Sequence, residues 1–120
     1  MKITRIYTGD DGESHFTDVD IDLLDRGARG ALSRPVDAQS VIFRRTAADY
    51  HLDFHPAPRR QLVVNLTGSV EIETGSGEKR LLGPGSIMLA EDTTGRGHIS
   101  RAVDGERHCL FIALPPESLT

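Results

Sequence analysis

Histidine and acidic side chains recur at a spacing suited to acid–base chemistry or metal binding. Five of the 120 residues are histidine. His51, Asp53 and His55 are two residues apart, so in an extended strand their side chains share one face. Imidazole and carboxylate groups on one face can exchange protons with a bound molecule or act as ligands to a metal ion. These three residues are therefore candidates for a polar site.

Arg59 continues the same alternation beyond His55. Pro56 and Pro58 precede it and stiffen the chain. A guanidinium held near the mouth of a pocket would pair with a carboxylate or phosphate group on a ligand. The alternative is an ordinary surface arginine on a strand edge.

The acidic loop before His98 contains another candidate. Asp92 lies six residues before His98, near enough for its carboxylate to orient the imidazole and make it a better general base. Plain turn chemistry is an equal alternative, because Asp and Thr side chains hydrogen-bond their own backbone in loops.

Short β-rich segments, rather than helices, would position these side chains. The clearest is residues 60–67, where alternation puts Gln61, Val63 and Asn65 on one face. About nine such segments follow one another with Gly and Pro turns between them. This pattern predicts a sandwich or barrel of antiparallel strands, and the chain length suits a single domain.

Composition excludes several classes of protein. The net charge is −4, and no run of Lys or Arg is longer than a pair, so we expect no nucleic-acid binding. The apolar runs are too short to span a membrane, and residues 1–10 lack an apolar leader, so we expect a cytoplasmic protein. Cys109 lies in an apolar segment, which favours a packed core residue over a nucleophile.

The second half of the sequence resembles the cupin superfamily, whose members are small jelly-roll barrels with two motifs. The first motif would span residues 55–68 and the second residues 77–98. His-Pro-Ala-Pro-Arg-Arg-Gln at 55–61 and Glu-Asp-Thr-Thr-Gly-Arg-Gly-His at 91–98 also resemble a subgroup of small single-domain bacterial cupins, most without an assigned reaction. The resemblance implies one cupin-like jelly-roll barrel over residues 1–120.

The same resemblance implies a possible metal site. In the family pattern, four side chains bind one divalent metal inside the barrel. His55 and His98 match two histidine positions, whereas Gln61 replaces a glutamate and Ala57 replaces a histidine. The implied ligands are His55, Gln61 and His98, for iron, nickel or zinc. A metal-free pocket is the alternative, since losing a carboxylate and an imidazole weakens ligation.

As a function, the resemblance implies binding of a small polar, anionic organic molecule in the barrel. Candidate catalytic residues are His55, Gln61 and His98, and candidate substrate-binding residues are His51, Asp53, Arg59, Asn65 and Asp92. An isomerase or dehydratase without metal is slightly favoured, because the ligand set is incomplete. A weak metal-dependent oxygenase or decarboxylase is an alternative reaction class, because one fold supports many reactions.

Two other interpretations remain open for the pocket. The protein could hold a small metabolite without transforming it, as a sensor or carrier, or side chains could fill the pocket completely. A lone barrel leaves edge strands that need cover, and small cupins commonly pair through such edges. We therefore expect a homodimer.

Overall fold

β-Strands account for most of residues 1–116, the part of the chain that the computed structural model describes. The strands are β1 (Lys2–Thr8), β2 (Ser14–Asp20), β3 (Leu24–Asp25), β4 (Ala31–Leu32), β5 (Ser40–Thr46), β6 (His51–His55), β7 (Gln61–Glu73), β8 (Lys79–Leu82), β9 (Ile87–Glu91) and β10 (His98–Ala113). The only helical segment in these residues is a 3-10 turn at Gly27–Arg29. The prediction of an all-β chain is confirmed.

Eight of these strands form one mixed sheet, and β3 and β4 form a separate two-stranded pair. The order in the large sheet is β2-β1-β9-β7-β10-β5, with β8 beside β7 and β6 beside β10. β1 and β9 run parallel, whereas the other neighbours are antiparallel. The sheet does not close over the described residues, because β2 and β5 end the order and do not pair with each other. A closed barrel of antiparallel strands is therefore not what the chain forms.

The long strands β7 and β10 run through both parts of the large sheet. One part also contains β2, β1, β9 and β5, and the other also contains β8 and β6. The first half of β7 pairs with β9 and its second half with β8. The second half of β10 pairs with β5 and its first half with β6. At the middle of β7, Gly68 has a φ of 71°, and a side chain there would collide with the backbone carbonyl of Glu106. Glycine at this position therefore lets β7 continue as one strand beyond residues 60–67, the segment that the sequence predicted.

The main apolar core lies between the two parts of this bent sheet. Side chains from the first half of β7 and from β9 meet those from the second half of β7 and from β8. The buried members of the cluster are Ile6, Ala57, Val63, Val70, Ile72, Leu82, Met88, Ala90 and Cys109. Cys109 is a buried free thiol, so its assignment to the core is confirmed.

One segment of the chain makes little contact with this core. Every residue from 22 to 43 is exposed, although the segment contains several large apolar side chains. Between residues 22 and 39 its only regular elements are the 3-10 turn and the short β3–β4 pair. Nowhere in residues 1–116 is there a helix with the length and apolar character needed to cross a membrane.

Candidate functional site

A cavity of about 190 Å³ lies between the two parts of the large sheet. Its walls are mainly aliphatic and aromatic, and a few polar side chains interrupt them. The polar or charged residues lining it are Arg44, Tyr50, His55, Gln61, His98, Ser100 and Arg107. A mostly apolar pocket with a few convergent polar groups is the usual form of a small-molecule site.

Strand alternation places Gln61 and His98 at this cavity. In β7, Gln61, Val63 and Asn65 are all buried, as their shared parity predicted. In β10, His98 and Ser100 are two residues apart and both line the cavity. Gln61 is only 3% exposed and His98 only 5%, so neither side chain is an ordinary surface group.

A bulge in β6 decides which of its side chains line the cavity. Ser100 pairs with Leu52, but His98 pairs with His55, so β6 contains one extra residue between these two pairs. Leu52 and His55 therefore both line the cavity. His51 and Asp53 are exposed and lie outside it. The prediction that His51, Asp53 and His55 form one polar face is corrected accordingly.

The two histidines of the cavity lie against each other. The ring centroids of His55 and His98 are 4.6 Å apart, and their planes are tilted by 58°. The imidazole of His98 contacts Asp92, with 2.6 Å between Nδ1 and Oδ2. Ser14 donates its hydroxyl proton to the same carboxylate oxygen at 2.6 Å. Asp92 is completely buried, so it orients His98 from behind instead of binding a ligand in the cavity.

The tautomer of neutral His55 follows from its contact with the backbone. Its Nδ1 lies 2.7 Å from the carbonyl oxygen of Asp53, which can only accept, so Nδ1 carries the proton. Burial lowers the pKa of His55 below its ordinary value, and the charges of His98 and Arg44 act in the same direction. A neutral ring protonated at Nδ1 leaves Nε2 as a proton acceptor.

Gly97 allows the two histidines to approach. Its φ is 79°, and a side chain there would collide with the backbone of His55 and Pro56. In the same region, the amide of Ala57 donates to the carbonyl of Asp92 at 2.9 Å. The start of β10 therefore meets the end of β6 without any intervening side chain, which brings His98 beside His55.

Arg59 and Asn65 have roles that differ from those predicted. Arg59 is exposed and lines a different groove, from which its Nη1 donates to Oε1 of Gln61 at 3.2 Å. Asn65 is buried behind the cavity, where its amide donates to the carbonyls of Gly68 and Leu82. Its Oδ1 accepts a hydrogen bond from Arg107 Nε at 2.6 Å. Asn65 thus positions an arginine of the cavity.

The sequence reasoning missed Arg44 and Arg107, which both line the cavity. Arg107 is 4% exposed, and Arg44 lies 5.0 Å from the ring centroids of both Tyr50 and Phe111. One signal was available in the sequence. Arg107 precedes Cys109 by two residues, so a core assignment for Cys109 turns Arg107 toward the core as well.

The polar residues of the cavity do not fit a divalent metal. Within residues 1–116, no three His, Cys, Asp or Glu side chains come together as a ligand set. His55 and His98 supply two imidazoles, but Gln61 Oε1 already accepts from Arg59. Arg44 and Arg107 add positive charge to the same cavity, which opposes cation binding. His55, Gln61 and His98 therefore do not form a ligand set for iron, nickel or zinc.

The arrangement can nevertheless bind a small molecule and move a proton. It combines two imidazoles with the amide of Gln61, the hydroxyl of Ser100 and two guanidinium groups around one cavity. The comparisons with known proteins add no relative: the sequence matches no protein-family model and no curated protein.

Proposed function

We propose that the protein binds a small polar organic molecule in the cavity and transforms it by proton transfer at His55 and His98. The observation that carries the proposal is the placement of these two rings 4.6 Å apart at one cavity. Each Nδ1 is engaged, by Asp53 O and by Asp92, which directs the chemistry to the Nε2 atoms. Neither Nε2 makes a hydrogen bond within residues 1–116.

The reaction class is isomerisation or dehydration. Neutral His55 accepts a proton from a carbon next to a carbonyl group, and the electron pair of that C–H bond passes into the conjugated system. Protonated His98, balanced by Asp92, returns a proton. Protonation at a neighbouring atom completes an isomerisation, whereas protonation of a hydroxyl group releases water. Both reactions are balanced without an oxidant, a reductant or a metal.

Gln61 and Ser100 would orient the substrate beside the histidines. Gln61 Oε1 is engaged by Arg59, so the Nε2 protons of its amide remain to donate to a carbonyl or hydroxyl oxygen. The hydroxyl of Ser100 can donate or accept. Hydrogen bonds from fixed, buried groups favour one orientation of the bound molecule, and this positioning is a large part of catalysis.

We further propose that the chain is a cupin with a jelly-roll arrangement. The segment resembling the first cupin motif, residues 55–68, covers the end of β6 and the first half of β7. The second, residues 77–98, runs through β8 and β9 to the first residue of β10. Support comes from the meeting of their terminal histidines, His55 and His98, at one cavity. The cytoplasmic location stays a prediction.

Deuterium exchange over a panel of compounds tests the catalytic proposal. Small 2-oxo acids, 3-hydroxy acids and sugars would be incubated with the protein in D₂O and followed by proton NMR. We expect exchange at a carbon next to a carbonyl in at least one compound, and its loss in His55→Gln and His98→Gln. His51→Gln is the matched control, because His51 lies on the same strand but outside the cavity.

Two results would overturn the catalytic proposal. One is unchanged exchange in the His55 and His98 variants. The other is binding of panel compounds with no exchange or chemical alteration in any of them over hours. The second result would favour the alternative of a sensor or carrier. That alternative has its own support, because the cavity contains two arginines whose guanidinium groups can hold an anionic group of a ligand in place.

We also propose that the protein is a homodimer paired through β5. This strand ends the order of the large sheet, and Phe43 on it is 83% exposed beside exposed Val41 and Ile42. The exposed segment 22–43 leads into it with further apolar side chains. A second copy can supply the same apolar strand and segment in return, because a two-fold interface pairs identical surfaces.

A further inference from the structure

Arg107 is a buried charge without an opposite charge in the described chain. The residue is 4% exposed, and its side chain donates from Nε to the neutral amide oxygen of Asn65. Apart from Arg44, the other arginines of residues 1–116 that are partly shielded from solvent each pair with a carboxylate: Arg5, Arg60, Arg80 and Arg101. Burying an unpaired charge is unfavourable, so something else must balance it.

Arg44 adds a second guanidinium to the same cavity. It lies between the rings of Tyr50 and Phe111, 5.0 Å from each centroid, and forms no ion pair in residues 1–116. Stacking on two aromatic rings holds its plane in place. Burial lowers the pKa of Arg107, and the nearby charge of Arg44 acts in the same direction. The two guanidinium groups are thus close enough to repel each other.

No carboxylate of the described residues lines this cavity. The acid nearest to the site, Asp92, is fully buried behind His98 and already accepts from His98 and Ser14. The cavity therefore presents two guanidinium groups to whatever enters it. Outside the two arginines and the few neutral polar groups, its walls are apolar, with Val63, Val70, Ile72, Met88 and Phe111 among them.

We propose that Arg44 and Arg107 together bind the carboxylate of a small organic acid whose apolar body fills the rest of the cavity. The planar, two-pronged guanidinium matches a carboxylate, and the apolar walls disfavour a fully hydrated inorganic anion. A cavity near 150 Å³ can hold a benzene ring, so 190 Å³ accommodates an acid of roughly six to nine non-hydrogen atoms. This inference names the substrate class of the proposed function and rests on it.

The arginines and the histidines line one cavity. A carboxylate held by Arg44 and Arg107 would therefore leave the remaining atoms of the acid within the space that His55 and His98 also line. The anion site predicted at Arg59 is replaced by these two residues, since Arg59 lies outside the cavity.

Calorimetric titration with matched probes tests the charge requirement. Benzoate and butanoate would be compared with benzamide and butanamide, which have similar shapes but no charge, and with inorganic phosphate. We expect at least one carboxylate to bind about tenfold or more tightly than its amide and than phosphate, since a hydrogen bond to a charged group is worth that much. Equal affinity for acid and amide, tighter binding of phosphate, or no binding of either acid at millimolar concentration would overturn the proposal.

Arg44→Gln and Arg45→Gln form a matched pair of variants. The Arg44 side chain makes no hydrogen bond or ion pair in residues 1–116, so its replacement is compatible with folding, and Arg45 is its exposed neighbour on β5. We expect Arg44→Gln to weaken carboxylate binding about tenfold and to leave amide binding unchanged. Arg45→Gln should change neither. Equal effects of the two variants would contradict a specific role for Arg44.

The deuterium experiment separates this inference from the proposed function. If neutral compounds exchange through His55 and His98 while neither carboxylate binds, the arginine site is wrong and proton transfer stands. If carboxylates bind through Arg44 and no compound exchanges, the arginine site stands and the cavity is a binding site alone.

Discussion

Nδ1 of His98 lies 2.6 Å from Oδ2 of Asp92, and both side chains are buried. This contact links the acidic loop after β9 to the first residue of β10. Ser14 of β2 adds a third group to the same carboxylate oxygen. The orientation of His98 at the cavity is thus set by residues that the ligand itself would not touch.

Asp92→Asn should reduce the deuterium exchange rate by about 10- to 100-fold, the usual effect of removing a group that orients a histidine. The amide carries no charge to balance the protonated ring and can donate to Nδ1, which leaves a neutral His98 with its proton on Nε2, a weaker proton donor. Nitrogen-15 NMR of the imidazoles would show this change directly. A merely structural role for Asp92 would leave the protonation of His98 Nδ1 unchanged in the folded variant.

Asp53→Asn is the matched control for that experiment. The Asp53 side chain is exposed, and its Oδ1 accepts from the amide of Phe54, which an asparagine oxygen can also do. Exchange and the histidine spectra should stay as in the wild type. If Asp53→Asn and Asp92→Asn gave the same loss, the proposed positioning role of Asp92 would be wrong.

The lowered pKa of His55 predicts a specific dependence of stability on pH. The unfolded chain has an ordinary histidine, with a pKa of about 6.5, and so binds a proton more readily than the folded chain. The contribution of neutral His55 to the free energy of unfolding is complete above the pKa of the unfolded chain. It is lost as the pH falls through the lower pKa of His55 in the folded chain. Urea unfolding between about pH 5 and pH 8 measures this loss.

His55→Gln should flatten this part of the pH profile, because glutamine does not titrate. His51→Gln should leave it unchanged, since that exposed side chain lies outside the cavity. An NMR titration of the His55 ring would give the same answer independently. A midpoint at or above that of a free histidine would contradict the effect of burial on His55.

Gly97→Ala should destabilise the protein by about 2–4 kcal/mol, through backbone strain at positive φ and collision with His55 and Pro56. Gly77→Ala provides the control, because Gly77 also has positive φ, 88°, but no atom lies within 4 Å of the position that an alanine methyl group would take there. Its cost should be only about 1 kcal/mol. Urea unfolding measures both losses of stability. If the two variants lost the same free energy of unfolding, the close approach of β6 and β10 would add nothing to the cost of Gly97→Ala.

Phe43→Glu should convert the proposed dimer to a monomer, because it places a charge on the apolar edge strand β5. Leu81→Glu is the control, since Leu81 is also exposed and apolar but lies on β8. Light scattering coupled to gel filtration, over a range of protein concentrations, distinguishes the two states. A monomeric wild type at all concentrations, or dissociation by both variants alike, would contradict pairing through β5.

Local patterns in the sequence were enough to predict the strands and part of the cavity. Gln61, Val63 and Asn65 share a buried face because alternation along one strand depends only on backbone geometry. Asp92 and His98 are close because few residues separate them. The core position of Cys109 followed from its apolar neighbours, and the same alternation applied to β10 would have turned Arg107 inward.

The tertiary structure decided what depends on pairing between distant segments. The bulge in β6 exists only relative to β10, and it brings Leu52 and His55, rather than His51 and Asp53, to the cavity. The convergence of Arg44 and Arg107 likewise depends on the pairing of β5 with β10. The sequence by itself thus determined an all-β chain in which Gln61, Val63 and Asn65 share one buried face. Long-range pairing decided which charges meet at the cavity, because register is set between strands and not within them.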